Sequence, residues 1–336
     1  MSDRPLVTVI GLCYNTGPYV VQALECVRRQ THQPLQLIIV DDASTDGSDL
    51  LVAEWILRSG YRCAFVRQPL NHGIPAALNA GLALAEGKYV TWIADDLWAD
   101  DRVELVVSFF ERQPPDVGVL FGDARVIDAQ GRVTGALSPC RTLELVGHPL
   151  ARHLCTGDDA LVVVDRRLVH EALFWRCFLP APSVTVRRSI YDVIGPYDST
   201  LAIEDLDCWL RTSEHFDFAY LRRPLVDYRV HASNFTSGIS SRYLDSLAAT
   251  LRRRLAAVGP ATGQALRRHI REEAYRVIGR LVEAGQLRRA AHTVVRHYLP
   301  NMQGSATAIK ETVKLFGVLL RGLVGHRRSR FGARRG

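Results

Sequence analysis

The sequence predicts an α/β protein built on a mostly parallel, doubly wound sheet with helices on both faces, followed by a helical, strongly basic extension. Three observations carry this. Short apolar strands alternate with helical stretches through short loops, the pattern of a parallel sheet with crossover helices. The first, second and fourth strands each run into polar residues at their carboxyl ends, the edge at which such sheets bind ligands. Charge divides the chain: residues 240–336 hold 20 Lys and Arg against 5 Asp and Glu, and residues 1–239 hold 22 against 30. An acidic body therefore precedes a basic tail.

Taken in order, residues 6–13 form a buried strand that Asn15, Gly17 and Pro18 break, with Pro18 suited to the first turn of a helix to about Gln30. Residues 35–40 form a second strand, ending in Asp41-Asp42-Ala-Ser-Thr-Asp46-Gly47-Ser48; Ser and Asp there can cap a helix over about 49–59. A short strand at 63–66 leads to Asn71-His72-Gly73-Ile74-Pro75 and a helix to about Ala85. Tyr89 to Ile93 is an apolar strand that runs straight into Asp95 and Asp96, two carboxylates that an apolar core cannot hold unpaired. By itself that pair reads equally as a cap for the following helix (100–113), for which Asp100 and Asp101 are the expected caps, or as hard oxygen ligands for Mg2+ or Mn2+. Three strand ends delivering polar groups to one edge argue for a nucleotide-type ligand lying across it.

A strand over 117–121 and a hairpin over 124–136 follow, then residues 138–180, read as an irregular insert of helical pieces over the site. Residues 183–187 return as a strand, 190–194 as a short helix, and Glu204-Asp205-Leu-Asp207 opens a helix whose dipole favours acids. Residues 220–230 close the domain as a strand that runs into His231. Residues 1–238 are thus expected as the catalytic domain and 239–336 as the basic region, with helices over 243–258, 264–284, 287–298 and 306–323.

Composition sets bounds. With 47% hydrophobic and 23% charged residues the chain reads as an ordinary globular protein, and no run reaches the roughly 20 apolar residues that span a bilayer. Met-Ser-Asp-Arg-Pro leads directly into a strand, so no signal peptide is expected and the location is read as cytoplasmic. Seven cysteines (13, 26, 63, 140, 155, 177 and 208) show no CxxC spacing and are expected as buried free thiols. Residues 313–324 form an apolar stretch followed by an arginine-rich run, which suits either a solvated bundle or peripheral attachment to an anionic membrane surface. Few aromatics interleave with these arginines, which argues against nucleic acid.

Seven stretches, in this order, resemble a family 2 glycosyltransferase of the GT-A fold: Val9-Ile-Gly-Leu-Cys-Tyr-Asn15, Ile38-Ile-Val-Asp41-Asp42-Ala-Ser-Thr-Asp-Gly47, Asn71-His-Gly73, Asn79-Ala-Gly-Leu82, Ala94-Asp-Asp96, Glu204-Asp205-Leu-Asp207 and Tyr228-Arg-Val-His231. Each is weak alone; jointly they are specific, and they cover residues 6–235. The resemblance implies an inverting, divalent-metal-dependent transfer of a sugar from a nucleotide-sugar donor, a UDP-sugar foremost, to a glycan or lipid-linked acceptor, as in cell-surface polysaccharide synthesis. It implies that Cys13, Tyr14, Asn15, Asp41, Asp42, Asn71, Gly73 and Asp95 line the donor nucleotide. Asp96 and His231 would hold Mn2+ or Mg2+, and Asp205, with Glu204, would act as general base. Asp207 and Trp98 are expected toward the acceptor. Two positions depart from the family: Ala94 shortens the usual Asp-x-Asp-Asp, and Leu78 stands where many members carry Arg. A non-catalytic nucleotide-sugar or glycan binder is the alternative; retention of Asp42, Asp96, Asp205 and Asp207 favours the enzyme.

Overall fold

The computed structural model describes residues 4–156, 160–202, 204–231, 241–253 and 260–302. The chain divides into two compact units, Met1–Asn234 and Phe235–Gly336.

The first unit opens with strictly alternating elements: β1 (Val7–Cys13), α1 (Gly17–Arg28), β2 (Leu35–Asp41), α2 (Ser48–Ser59), β3 (Cys63–Arg67), α3 (Ile74–Leu82), β4 (Tyr89–Ile93) and α4 (Arg102–Phe110). It continues with β5 (Val117–Ile127), β6 (Val133–Leu137), α5 (Pro139–Val146), α6 (Leu150–Cys155), β7 (Leu161–Val164), α7 (Arg166–Trp175), β8 (Thr185–Arg187), α8 (Ile190–Ile194), α9 (Glu204–Thr212) and β9 (Asp217–Arg229). The strands form one sheet in the order β3-β2-β1-β4-β8-β5-β9-β7, with β6 hanging from β5. β4 is buried at every position and β1 at all but one, because helices cover both faces of the sheet.

Strand direction decides what the edge can do. β1, β2, β3 and β4 are mutually parallel. β8 runs antiparallel to both β4 and β5, and β9 runs parallel to β5. The carboxyl end of β9 therefore lies on the same edge as the carboxyl ends of β1, β2 and β4. An isolated bridge, Leu97 with Asp227, stitches the loop after β4 to the end of β9 through two backbone hydrogen bonds.

Several expectations need correction. The strand over 117–121 and the first arm of the hairpin are one continuous strand, β5; its register against β9 shifts around Gly122 and Asp123, opposite Pro224, which lacks the N–H a regular ladder needs. The insert over 138–180 is not only helical: Leu161–Val164 joins the sheet as β7, antiparallel to β9. A four-residue apolar run cannot be typed by its period. Neither Asp100 nor Asp101 caps α4 through its side chain; Asp101 stands at the cap position without a capping bond, and Asp100 pairs with Arg29 at 3.2 Å. Gly47, in the left-handed region at φ 86°, holds the cap position of α2. The cysteines are not all free: Cys140 and Cys155 form a disulfide joining α5 to α6, while Cys13, Cys26, Cys63, Cys177 and Cys208 are free.

The second unit contains α10 (Ser241–Arg253), α11 (Pro260–Glu283) and α12 (Leu287–Thr293), the last continued by a π turn over Val294–Tyr298. Leu244, Ala274, Val277, Ile278, Ala290 and Tyr298 form its core. The helix expected over 306–323 and the arginine-rich end lie outside the described residues. Among the described residues no helix is long and apolar enough to cross a membrane.

One glycine gates the strand that leads into the Asp pair. A Cβ at Gly87 would stand 2.5 Å from the Thr8 backbone nitrogen and 2.8 Å from the Tyr89 carbonyl, and backbone cannot step aside. Gly87→Ala is expected to destabilise the protein by about 1–3 kcal/mol, read as a lowered urea midpoint with an unchanged slope.

Candidate active site

The loops after β1, β2 and β3 are latched to one another by polar side chains. Asn15 donates its backbone N–H to Ser44 Oγ at 3.1 Å and accepts the Thr45 N–H at 2.8 Å, while Gly17 donates to Asp46. Asp42 accepts the N–H groups of His72 and Gly73 at 2.9 and 2.7 Å, tying the second loop to the third. Asp41 accepts both the N–H and the hydroxyl of Ser44. Among the described residues, Asn15 and Ala43 are the non-glycine residues with positive φ, at 52° and 61°, a strain that persists where the surroundings over-determine a loop.

This geometry redistributes the roles expected of the donor-site residues. Asp41 and Asp42 are both buried, with carboxylates already engaged by the loops' own N–H groups. Cys13 is buried as well, its sulfur 3.5 Å from Thr16 Oγ1, and burial pushes its thiol up to about 11. Cys13 therefore packs behind the loop. Tyr14, 47% exposed, and Asn71, also exposed, are the members of the set that face outward. Gly73, at φ 89°, offers backbone where a side chain would be strained.

The Asp95–Asp96 pair divides. Asp96 is buried, and its carboxylate accepts the Arg229 backbone N–H at 2.9 Å; burial first, then the neighbouring Asp95 charge, pushes it up to about 8. Asp95 is instead the acid beside His231: its Oδ2 lies 2.5 Å from His231 Nε2, with the two side chains 14% and 7% exposed. Of the two, Asp96, expected as the direct metal ligand, stands on the Arg229 backbone, and Asp95, expected at the ribose, stands against His231. At this separation the Asp95 oxygen and the His231 nitrogen are within hydrogen-bond distance of each other. Among the described residues, the one cluster bringing three His, Cys, Asp or Glu donors within 4.8 Å of one another is elsewhere, at Cys140, Glu144 and Cys155.

Arg229 organises this corner. It is buried, and its guanidinium donates to the Asp95 carbonyl at 2.9 Å, the Ala129 carbonyl at 3.3 Å and the Gln22 side chain at 3.0 Å. Tyr19 of α1 sits between two partners: the Arg229 guanidinium 4.6 Å from its ring centre and the His231 ring 4.7 Å away. Beneath the loop after β4 lies a second buried cation, Arg102, whose Nη2 donates to Thr91 Oγ1 and the Ser183 carbonyl and whose guanidinium stacks 4.0 Å from the Trp98 ring. Burial lowers it to about 9, opposed by the Asp96 charge.

The second acidic motif sits in the first turn of α9. Asp205 Oδ1 accepts the Leu206 N–H at 2.7 Å, and Cys177 Sγ lies 4.0 Å from Oδ2. Burial, with mutual repulsion, pushes Glu204 up to about 8, and burial raises Asp205. A stack of Trp92, on β4, against Trp209, on α9, with centroids 6.1 Å apart, ties this helix to the strand that leads to Asp95. Asn79 pins α3 to the stretch before α9, donating to the Tyr197 carbonyl and accepting its N–H, both at 2.9 Å.

The two residues expected toward the acceptor are both buried. Trp98 is buried against the Arg102 guanidinium. Asp207 is buried and paired with Arg211 at 2.8 Å, one helical turn on, and Arg211 also bonds the Ile194 carbonyl. Sequence reasoning passed over Tyr19, Arg102, Arg229 and Cys177. The only signal for Arg229 was its place inside Tyr228-Arg-Val-His231; the others carried none.

The family model described as "Glycosyl transferase family 2" matches residues 8–178. The chain is similar to "Glycosyltransferase GlyG" of Streptococcus pneumoniae serotype 4, at 31% identity over 113 residues, 33% of this chain and 37% of that protein's length. Among solved structures it resembles Staphylococcus aureus TarS 1-349 in complex with UDP-GlcNAc, with TM-score 0.56 and 15% identity over 87% of this chain and 89% of that one. It also resembles the mannosyltransferase PcManGT from Pyrobaculum calidifontis in complex with GDP-Man and Mn2+, with TM-score 0.54 and 18% identity over 96% and 88%. At these identities the likeness establishes the fold, that of the GT-A glycosyltransferases.

The Asp207–Arg211 pair separates structural from acceptor roles. Asp207→Asn is expected to lower stability by about 1–3 kcal/mol by leaving the partly buried Arg211 guanidinium short of its partner. The KM for acceptor should stay at the wild-type value once assays are run well below the melting temperature; a raised acceptor KM would return Asp207 to the acceptor site.

Proposed function

The chain belongs to glycosyl transferase family 2, and from that premise we propose that it moves a sugar from a nucleoside-diphosphate donor, a UDP-sugar foremost, to a hydroxyl of a glycan or lipid-linked acceptor, inverting the anomeric carbon. As a transferase of this family it needs one corner for a diphosphate and another for a base. The observation that carries the reading is the Asp95–His231 pair, where the ends of β4 and β9 meet, with Glu204–Asp205 tied to β4 through the Trp92–Trp209 stack.

Asp95 and His231 are the residues that would hold Mn2+ or Mg2+, and the single imidazole among oxygen donors favours Mn2+. A bound ion would neutralise the charge of the departing diphosphate as a Lewis acid. Asp96 serves this pair from behind, keeping the Arg229 backbone, and through it His231, in register with Asp95. The outward Tyr14 and the backbone of Gly73 support a nucleotide lying along the β1 and β3 loops, and the ligands bound to the two structural relatives, UDP-GlcNAc and GDP-Man, are of that class. Asp205 would take the acceptor hydroxyl's proton. An alcohol is a poor nucleophile until a base removes that proton, and a carboxylate raised toward neutrality by burial is better matched to the task than an ordinary one. A lipid-linked acceptor would be met at an anionic membrane surface, a reading supported by the net positive charge of residues 240–336.

Three outcomes test this. Asp95→Asn and His231→Ala should each cut metal-stimulated turnover of UDP-sugars by about a hundredfold or more, whereas equal turnover with and without chelator in the wild type would remove the ion from the reading. Asp205→Asn should cut kcat by about 10²–10⁴ with donor KM unchanged. Because Asp205 is raised and Glu204 lies at about 8, the ionised base accumulates as pH climbs. The acidic limb of kcat/KM should therefore fall above the ordinary carboxylate range, with activity lost as pH drops through it; a limb at an ordinary carboxylate value would separate the acids from the base role.

A further inference from the structure

We propose that Cys177 is a positioning residue for Asp205, its thiol proton held toward Oδ2 while the Leu206 N–H holds Oδ1. The inference rests on the reading of Asp205 as the base, and it concerns how that base is aimed. Oδ1 is committed to the Leu206 backbone at 2.7 Å, so Oδ2 is the oxygen left to receive a proton, and Cys177 Sγ stands 4.0 Å from it. The segment that delivers the thiol is rigid: Phe178 and Leu179 are buried, and the Phe178 ring meets Phe121 of β5 edge-on at 5.9 Å. The Leu179 backbone N–H points to the sulfur, so the thiol accepts from its own chain and has its single proton to donate.

The charges around the pair keep that proton in place. Burial holds the Cys177 thiol well above its ordinary value, reinforced by Asp205 and Glu204 and opposed by Arg176. The thiol therefore acts as a neutral donor and not as a second anion beside the base. A donor to a carboxylate favours its ionised form. Cys177 thus lowers the proton affinity of Asp205, which burial raises, and limits rotation of its carboxylate. Serine at this position would keep a donor; alanine would keep neither the donor nor the volume.

Two measurements decide it. The first is the kcat/KM pH profile of Cys177→Ala and Cys177→Ser beside wild type. The acidic limb should move up by about half a unit in the alanine variant, with kcat reduced several-fold and donor KM unchanged, and serine should restore the limb. The second is reciprocal and independent of turnover: the rate at which iodoacetamide labels Cys177, followed by peptide mass spectrometry in the folded protein. Since the thiolate is the reacting form, Asp205→Asn removes a repelling charge and should speed labelling several-fold, with Cys63 as the internal reference. An unshifted limb in Cys177→Ala, or labelling of Cys177 indifferent to Asp205→Asn, overturns the proposal. Wild-type turnover in Asp205→Asn would overturn the base reading, and with it the catalytic consequence of the contact.

Discussion

Arg229 is 1% exposed and reaches several separate parts of the chain. Its backbone N–H holds Asp96, its guanidinium holds the carbonyls of Asp95 and Ala129 and the side chain of Gln22, and its charged face lies on Tyr19. A buried guanidinium is costly unless its donors are matched, and here the matches come from the loop after β4, the loop after β5 and α1. Those elements must all be in place before the charge is compensated. Asp95 meets His231 only as a consequence, because the same loop and strand end that Arg229 joins carry the two side chains.

The loops on the other half of the edge follow the same logic with smaller parts. Asn15, Asp41, Asp42 and Asp46 each accept backbone N–H groups from their own or a neighbouring loop. Charge-assisted hydrogen bonds, as at the three acids, are stronger than neutral ones and fix geometry. The polar residues at the ends of β1 and β2 thus latch the rim together, while Tyr14 and Asn71 stay exposed. A polar loop at a sheet edge is legible as a site; which of its acids face outward is not, because it depends on where the neighbouring N–H groups fall.

The alternation of elements, the strand-end motifs and the boundaries of most strands were legible because apolar period and turn residues are local properties. β7 was missed because Leu161–Val164 is too short to show a period, and β5 was split because the register shift that carries it through Gly122 and Asp123 depends on Pro224 of β9, far along the chain. The disulfide between Cys140 and Cys155 joins residues 15 apart with no spacing signature, so composition alone argued the other way. Trp98, expected toward the acceptor, is stacked on a cation that no local pattern marks as buried.

The sequence by itself determined the α/β architecture, the edge of the sheet at which the polar strand ends gather, and the two acidic motifs. Each is written in local periodicity or in the residue types adjoining a strand end. Tertiary structure decided where each acid stands: Asp95 against His231 and Asp96 inward on Arg229, Asp207 paired within its helix, and Asp205 between a backbone N–H and a thiol. Two adjacent carboxylates are chemically identical until something distant desolvates one of them. Here the backbone that takes Asp96 inward, at Arg229, stands 133 positions further along the chain.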